Sequence, residues 1–210
     1  MTGDPDKNIY GRGRSPNETI DIQDIISSWD TPGAPFLSAH MIAETGVSAS
    51  GSISWQESPD NLTAPTLPGW YPEFESFIEP GVRALCRFFV QECGWITYTS
   101  CEGHRDFATS TPRSLRHVGL LPRSSEEYDR IHRFLIASVS AFRDISPRLD
   151  HVHLAILKHQ LMDPCRSQDV LDLEFSPTGA QDVYFAQLDT AVARYLVCTG
   201  KLIRQGALDA

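Results

Sequence analysis

The sequence predicts an α+β sandwich, ferredoxin-like or related, with about four strands and helices mainly on one face. Two observations carry this. From Trp70 onward the hydrophobic period switches in the order helix, strand, strand, helix, strand, strand, helix. The composition, 41% hydrophobic and 21% charged over 210 residues, supplies a real core.

Residues 1–69 read as an irregular polar and aromatic N-terminal arm. Gly, Pro, Ser, Asp and Thr dominate it, with loops at 31–35, 48–52 and 58–69. One short helix is expected from Ile20 to Trp29, where Ile22, Ile25, Ile26 and Trp29 fall at helical spacing, and Ile53 and Trp55 suit a brief strand. Trp29, Phe36 and Trp55 need an apolar surface, either within this chain or on a second one.

Residues 70–205 read as a single α+β domain and 206–210 as a flexible tail. Pro72 and Pro80 suit first-turn positions, predicting helices over 72–78 and 80–93, with Gly94 as the stop. Trp95 to Thr99 is a strand, and Leu115 to Leu121 a second one closed by Pro122. Ser124-Ser125-Glu126-Glu127 is a capping box: the Ser124 hydroxyl can accept the amide three residues on, while Glu127 reaches back. The helix it opens carries Tyr128, Ile131, Leu135, Val139 and Phe142 on one face, to about 143. Residues 151–159 and 170–175 form a strand pair with a long tip. The last helix spans about 182–199, with Gly200 after it.

The bulk charge excludes some functions. A net charge of −9 and a pI of about 5.2 argue against a broad nucleic-acid surface, which needs Lys and Arg to neutralise phosphates. Five cysteines at irregular spacing, with no CxxC pair, suggest neither a disulfide framework nor a zinc ribbon. No N-terminal apolar run or long uncharged stretch indicates a signal or a membrane span, so a cytoplasmic protein is expected. Rossmann, P-loop, HExxH, GxSxG and EF-hand patterns do not occur.

The chemistry concentrates in Ser100-Cys101-Glu102-Gly103-His104, at a strand end. Cys101, Glu102 and His104 bring a thiol, a carboxylate and an imidazole within four residues, suited to metal ligation or nucleophilic catalysis. Gly103 between them permits an unusual backbone angle. The competing reading makes Cys101 a small buried apolar residue and His104 a loop brace. Ser100, Gly103, Arg105, Arg113, Arg116 and Arg123 form the expected ligand-binding surround, the arginines serving either anion binding or a solvated rim.

Strand alternation supplies a second set. In 151–159, Val152, Leu154 and Ile156 share one face and His151, His153 and His159 the other. In the next strand Asp172 and Glu174 fall opposite Leu171, Leu173 and Phe175. His117, His151 and His153 are therefore the candidate partners for a divalent metal, zinc or iron, although water alone accounts for a polar open face.

The stretch Trp95-Ile96-Thr97-Tyr98-Thr99-Ser100-Cys101-Glu102-Gly103-His104 resembles the Ser-Cys-x-Gly loop of the wybutosine-synthesis methyltransferase that modifies tRNA, which has Arg where this chain has His104. It is also similar to Ser-Cys-x-Gly-His loops of small bacterial and phage proteins. The resemblance covers about ten residues, and it implies a ligand- or substrate-facing loop.

Three functional expectations follow. The first is a small metal- or ligand-dependent enzyme acting on an anionic small-molecule or nucleotide-like substrate. The second is a non-catalytic binding or regulatory subunit, whose N-terminal arm and acidic surface grip a protein partner, or whose arm grips a second copy. The third is an RNA- or nucleotide-modifying protein.

Overall fold

The structure is a computed structural model. It describes residues 22–32, 45–47, 53–55, 69–70, 74–105, 112–145, 149–162 and 166–208. The chain divides into two compact units, one of Met1–Phe77 with Gln160–Asp169 and one of Ile78–His159 with Val170–Ala210.

The first unit holds α1 (Ile22–Asp30) and an antiparallel pair, β1 (Thr45–Val47) and β2 (Ile53–Trp55). The isoleucine spacing does what it predicts: Ile22, Ile25, Ile26 and Trp29 are all buried on one face of α1. Trp29 meets Phe74 edge-to-face at 5.8 Å, so one arm aromatic finds its surface within the chain. Phe36 lies outside the described residues.

The second unit begins with α2 (Pro80–Arg87), whose Val82, Leu85 and Cys86 are buried. Where a single helix to 93 was expected, α2 loosens into a π turn over Phe88–Glu92 before Gly94, at φ +71°, ends it. That turn sets Phe89 against Trp95, centroids 5.9 Å apart, and Trp95 against Phe134 at 5.2 Å. Then come β3 (Ile96–Cys101), a short ribbon of β4 (His104–Arg105) and β5 (Pro112–Ser114), β6 (Arg116–Leu121), α3 (Ser125–Ile145), β7 (Val152–Met162), β8 (Ser167–Pro177) and α4 (Gln181–Arg204). The β4–β5 ribbon has no signal in the sequence. Half of the capping box forms as expected, the Glu127 amide donating to Ser124 Oγ at 3.2 Å, while the Glu127 side chain reaches one residue further back and accepts the Arg123 amide at 2.6 Å.

The main sheet has four antiparallel strands in the order β3-β6-β8-β7. Two consecutive strand pairs are thus joined through α3, and α4 returns after the last strand. This connectivity is the related-sandwich branch of the expectation rather than strand-helix-strand alternation. Val118 and Leu120 on β6 and Leu171, Leu173 and Phe175 on β8 are fully buried. Phe175 packs edge-to-face on Tyr195 of α4 at 6.0 Å, which places the helices over this face. The other face carries His117, Gly119, Asp172 and Glu174 by alternation.

Two boundaries differ from expectation. Helix α4 runs through Gly200 to Arg204, because the stop is Gly206 at φ +82°. Its amide donates to Ile203 O and that of Ala207 to Leu202 O, a paired C-terminal cap that occupies the start of the expected free tail. Strands β7 and β8 also extend further toward their tip than 151–159 and 170–175.

Candidate metal centre

The site is assembled by β3 and the entry to α2. Glu79 stands immediately before Pro80 in an extended conformation (φ −57°, ψ 139°), and its carbonyl accepts the amides of Val82 and Arg83. Its side chain is buried and reaches the loop after β3. There Glu79 Oε1 lies 3.0 Å from His104 Nε2, while Oε2 accepts the Glu102 amide at 2.7 Å. The His104 ring also hydrogen-bonds the Cys101 thiol. One ligand atom from each of Glu79, Cys101 and His104 lies within 4.8 Å of the others. It is the only such His/Cys/Asp/Glu group among the described residues.

The backbone explains why Cys101 and His104 meet. Gly103 takes φ +84°, and the position of a Cβ on it would lie 3.0 Å from the Arg116 amide nitrogen. Only glycine turns the chain so tightly against β6. The same turn lets the Gly103 amide donate to Cys101 Sγ at 3.4 Å. The electrostatics are equally local. The hydrogen bond to Cys101, then that to Glu79, push His104 up to about 10 against the opposing effect of burial.

The expected catalytic trio is therefore revised by one member. Cys101 and His104 come together, but the Glu102 carboxylate turns away and accepts the Gly81 amide at 2.8 Å. Glu79, 22 positions upstream of Cys101, takes the acidic role.

The expected surround also disperses. Ser100 hydrogen-bonds the buried Cys86 thiol, which burial pushes up to about 12. Arg105 and Arg113 fall on the β4–β5 ribbon, Arg105 opposite Pro112. Arg116 opens β6 and Arg123 lies two residues past its far end. Buried Arg116 donates to Glu102 O and pairs with Asp189; Arg123 pairs with Glu127 and donates to Gly94 O. The arginine cluster inferred from sequence proximity is not one patch.

His117 sits directly opposite Cys101 in the sheet register, with Nδ1 3.1 Å from Leu115 O. His151 and His153 do not join the loop. They enter β7, separated from β3 by β6 and β8, three interstrand steps or about 14 Å. The alternation argument is instead realised by His159. Its Nε2 lies 2.7 Å from Tyr98 Oη and 3.4 Å from Asp172 Oδ2, while Tyr98 donates to Asp172 Oδ1 at 2.6 Å. Tyr98 sits at the register shift between Thr97 and Thr99, and its ring crosses Gly119 to reach Asp172. Thus one polar network ties β3, β8 and β7 together across β6.

No family model, curated protein or solved structure matches this chain. No helix among the described residues is long and apolar enough to cross a membrane.

Proposed function

We propose that the chain is a small metal-dependent enzyme in which Glu79, Cys101 and His104 hold one divalent ion of the zinc class. The observation that carries this is the convergence of one oxygen, one sulfur and one nitrogen donor within 4.8 Å. Mixed N, S and O donors suit zinc or iron rather than magnesium or calcium. Three protein ligands leave a position for water or a substrate oxygen, the usual makeup of a catalytic zinc site. Both anionic donors are already oriented: the Glu102 amide fixes the spare oxygen of Glu79, and the Gly103 amide supports the sulfur.

Zinc titration of the purified chain, followed by desalting and elemental analysis, tests the reading. One equivalent is expected in the wild type and less than a tenth of that in Cys101→Ser and His104→Ala with circular dichroism unchanged. A wild type that retains no stoichiometric zinc or cobalt sinks it.

A second reading has its own support. His104 contacts both the Cys101 thiol and the Glu79 carboxylate, the order nucleophile, base, orienting acid of a cysteine hydrolase or transferase. Rapid iodoacetamide labelling of Cys101 in metal-free protein, slowed at least tenfold by Glu79→Gln, is the outcome that favours it.

A further inference from the structure

We infer that Arg116 is a positioning residue for this centre, setting the Glu79 carboxylate through the Glu102 backbone. The inference rests on the metal reading and adds to it a specific outer partner.

The connection is contiguous. Arg116 Nε donates to Glu102 O at 2.7 Å; the amide of the same residue donates to Glu79 Oε2 at 2.7 Å; and Glu79 Oε1 remains directed at His104. One guanidinium thus fixes the residue whose amide selects which carboxylate oxygen faces the metal. Arg116 is buried at 7% exposure. Its Nη1 goes to Asp189 Oδ1 at 2.7 Å. Asp189 is 88% exposed in its side chain, so that pair is screened and serves mainly to orient the guanidinium.

The third nitrogen shows how closely the surroundings fit. A Cβ on Gly81 would lie 2.6 Å from Arg116 Nη2 and 3.0 Å from Glu102 Oε2. The missing side chain at Gly81 therefore makes room for the guanidinium. The Gly81 amide in turn anchors the Glu102 carboxylate at 2.8 Å. Glu102 is held at its carbonyl, its amide and its side chain, and Arg116 holds the first of these. Outer partners of this kind commonly change metal affinity 10- to 100-fold, roughly, when removed.

The test uses the full chain loaded with cobalt(II), whose visible spectrum reports ligand identity and geometry. Arg116→Gln is expected to weaken cobalt binding about tenfold or more and to shift the d–d bands, while the thiolate charge-transfer band from Cys101 persists. Arg116→Lys should restore part of the affinity, since one ammonium can still reach the carbonyl, and Asp189→Asn should change it less than about threefold.

Gly81→Ala keeps the charge and displaces the guanidinium. Alanine normally favours a helix, so weaker cobalt binding in a protein of undiminished stability separates positioning from general destabilisation. Unchanged affinity and spectrum in both Arg116→Gln and Gly81→Ala overturn the inference and leave the metal reading standing. If Arg116→Gln does not fold, Arg116→Lys decides beside Gly81→Ala, wild-type cobalt affinity and spectrum in Arg116→Lys overturning the inference. A wild type that binds no cobalt removes the metal reading, and the positioning role with it.

Discussion

Replacing Gly119 by Ala should damage the sheet more than any other single methyl addition to β6. A Cβ there would lie 2.5 Å from Thr99 Cγ2, 2.5 Å from Tyr98 Cε1 and 2.6 Å from Asp172 Oδ1. Carbon contacts are optimal near 3.5–4.0 Å, so three neighbours must each give about 1 Å. Overpacking of that order costs about 1–3 kcal/mol. Moving the Tyr98 ring also strains its 2.6 Å bond to the buried Asp172, and a buried acceptor left unsatisfied costs about 1–3 kcal/mol. The gain from replacing glycine in a strand offsets roughly 0.5–1 kcal/mol. The net expectation for G119A is a loss of about 1–5 kcal/mol. Urea unfolding followed by circular dichroism measures it, and amide exchange over Val118–Leu121 isolates this sheet from the first unit. Y98F alone should cost about 1–3 kcal/mol, and the double variant less than the sum, because the two share one network. Stability of G119A within about 0.5 kcal/mol of wild type, or strict additivity with Y98F, would show that the packing across Gly119 is not as tight as argued.

Other outcomes follow from the same contacts. G103A should lose at least about 1–2 kcal/mol from the positive φ alone, and more from the unyielding Arg116 amide; an unchanged urea midpoint contradicts the turn. E127A removes an acceptor of the Arg123 amide and the pairings with Arg123 and Arg130, so it should cost about 1–2 kcal/mol with exchange rising in the first turn of α3. In metal-free protein His104 keeps its proton to about pH 10, against an ordinary value near 6.5. The folded state then binds more protons than the unfolded chain between those values. That contribution is complete below about 6.5 and is lost as pH rises through about 10. Urea midpoints in EDTA between pH 6 and 9 should therefore fall more steeply in wild type than in H104Q, and parallel profiles would refute the assignment. Above pH 9 the buried Cys86 and the half-buried Cys93, both pushed up to about 12 chiefly by desolvation, add a further alkaline loss that H104Q does not remove.

The class of fold was legible because it depends on periods. The apolar stripes of α1, α3 and α4 and the alternation in β7 and β8 are properties of neighbouring residues, and each produced its element. What failed were the reading of Gly200 as a stop, unlike that of Gly94, and the reading of proximity in sequence as proximity in space. Gly200 did not end α4, because a helix with apolar residues still to bury continues until a residue at positive φ closes it, here Gly206. The arginines looked clustered because 18 positions separate Arg105 from Arg123, but an extended strand, β6, runs from Arg116 and leaves Arg123 beyond its far end.

The same distinction decides the candidate centre. Cys101 and His104 were recognisable together because the turn joining them is local and Gly103 marks it. Glu79 was not, because its approach depends on how α2 lies against β3. A faint sign was present: a carboxylate directly before a first-turn proline sits at a helix entrance, with its side chain able to reach whatever loop caps that entrance. Glu102, the nearer acid, was the natural choice from sequence, yet its own position excludes it. Following Cys101 directly in the loop, it meets the entrance of α2, where the Gly81 amide takes its carboxylate. The two acids thus exchange the roles that sequence distance assigns them. Glu79 caps α2 through its backbone and lends its side chain to the loop, whereas Glu102 belongs to the loop and lends its side chain to the helix. That reciprocity fixes the centre from both sides, and it makes E79Q and E102Q expected to differ: the first should abolish metal binding, the second only weaken it.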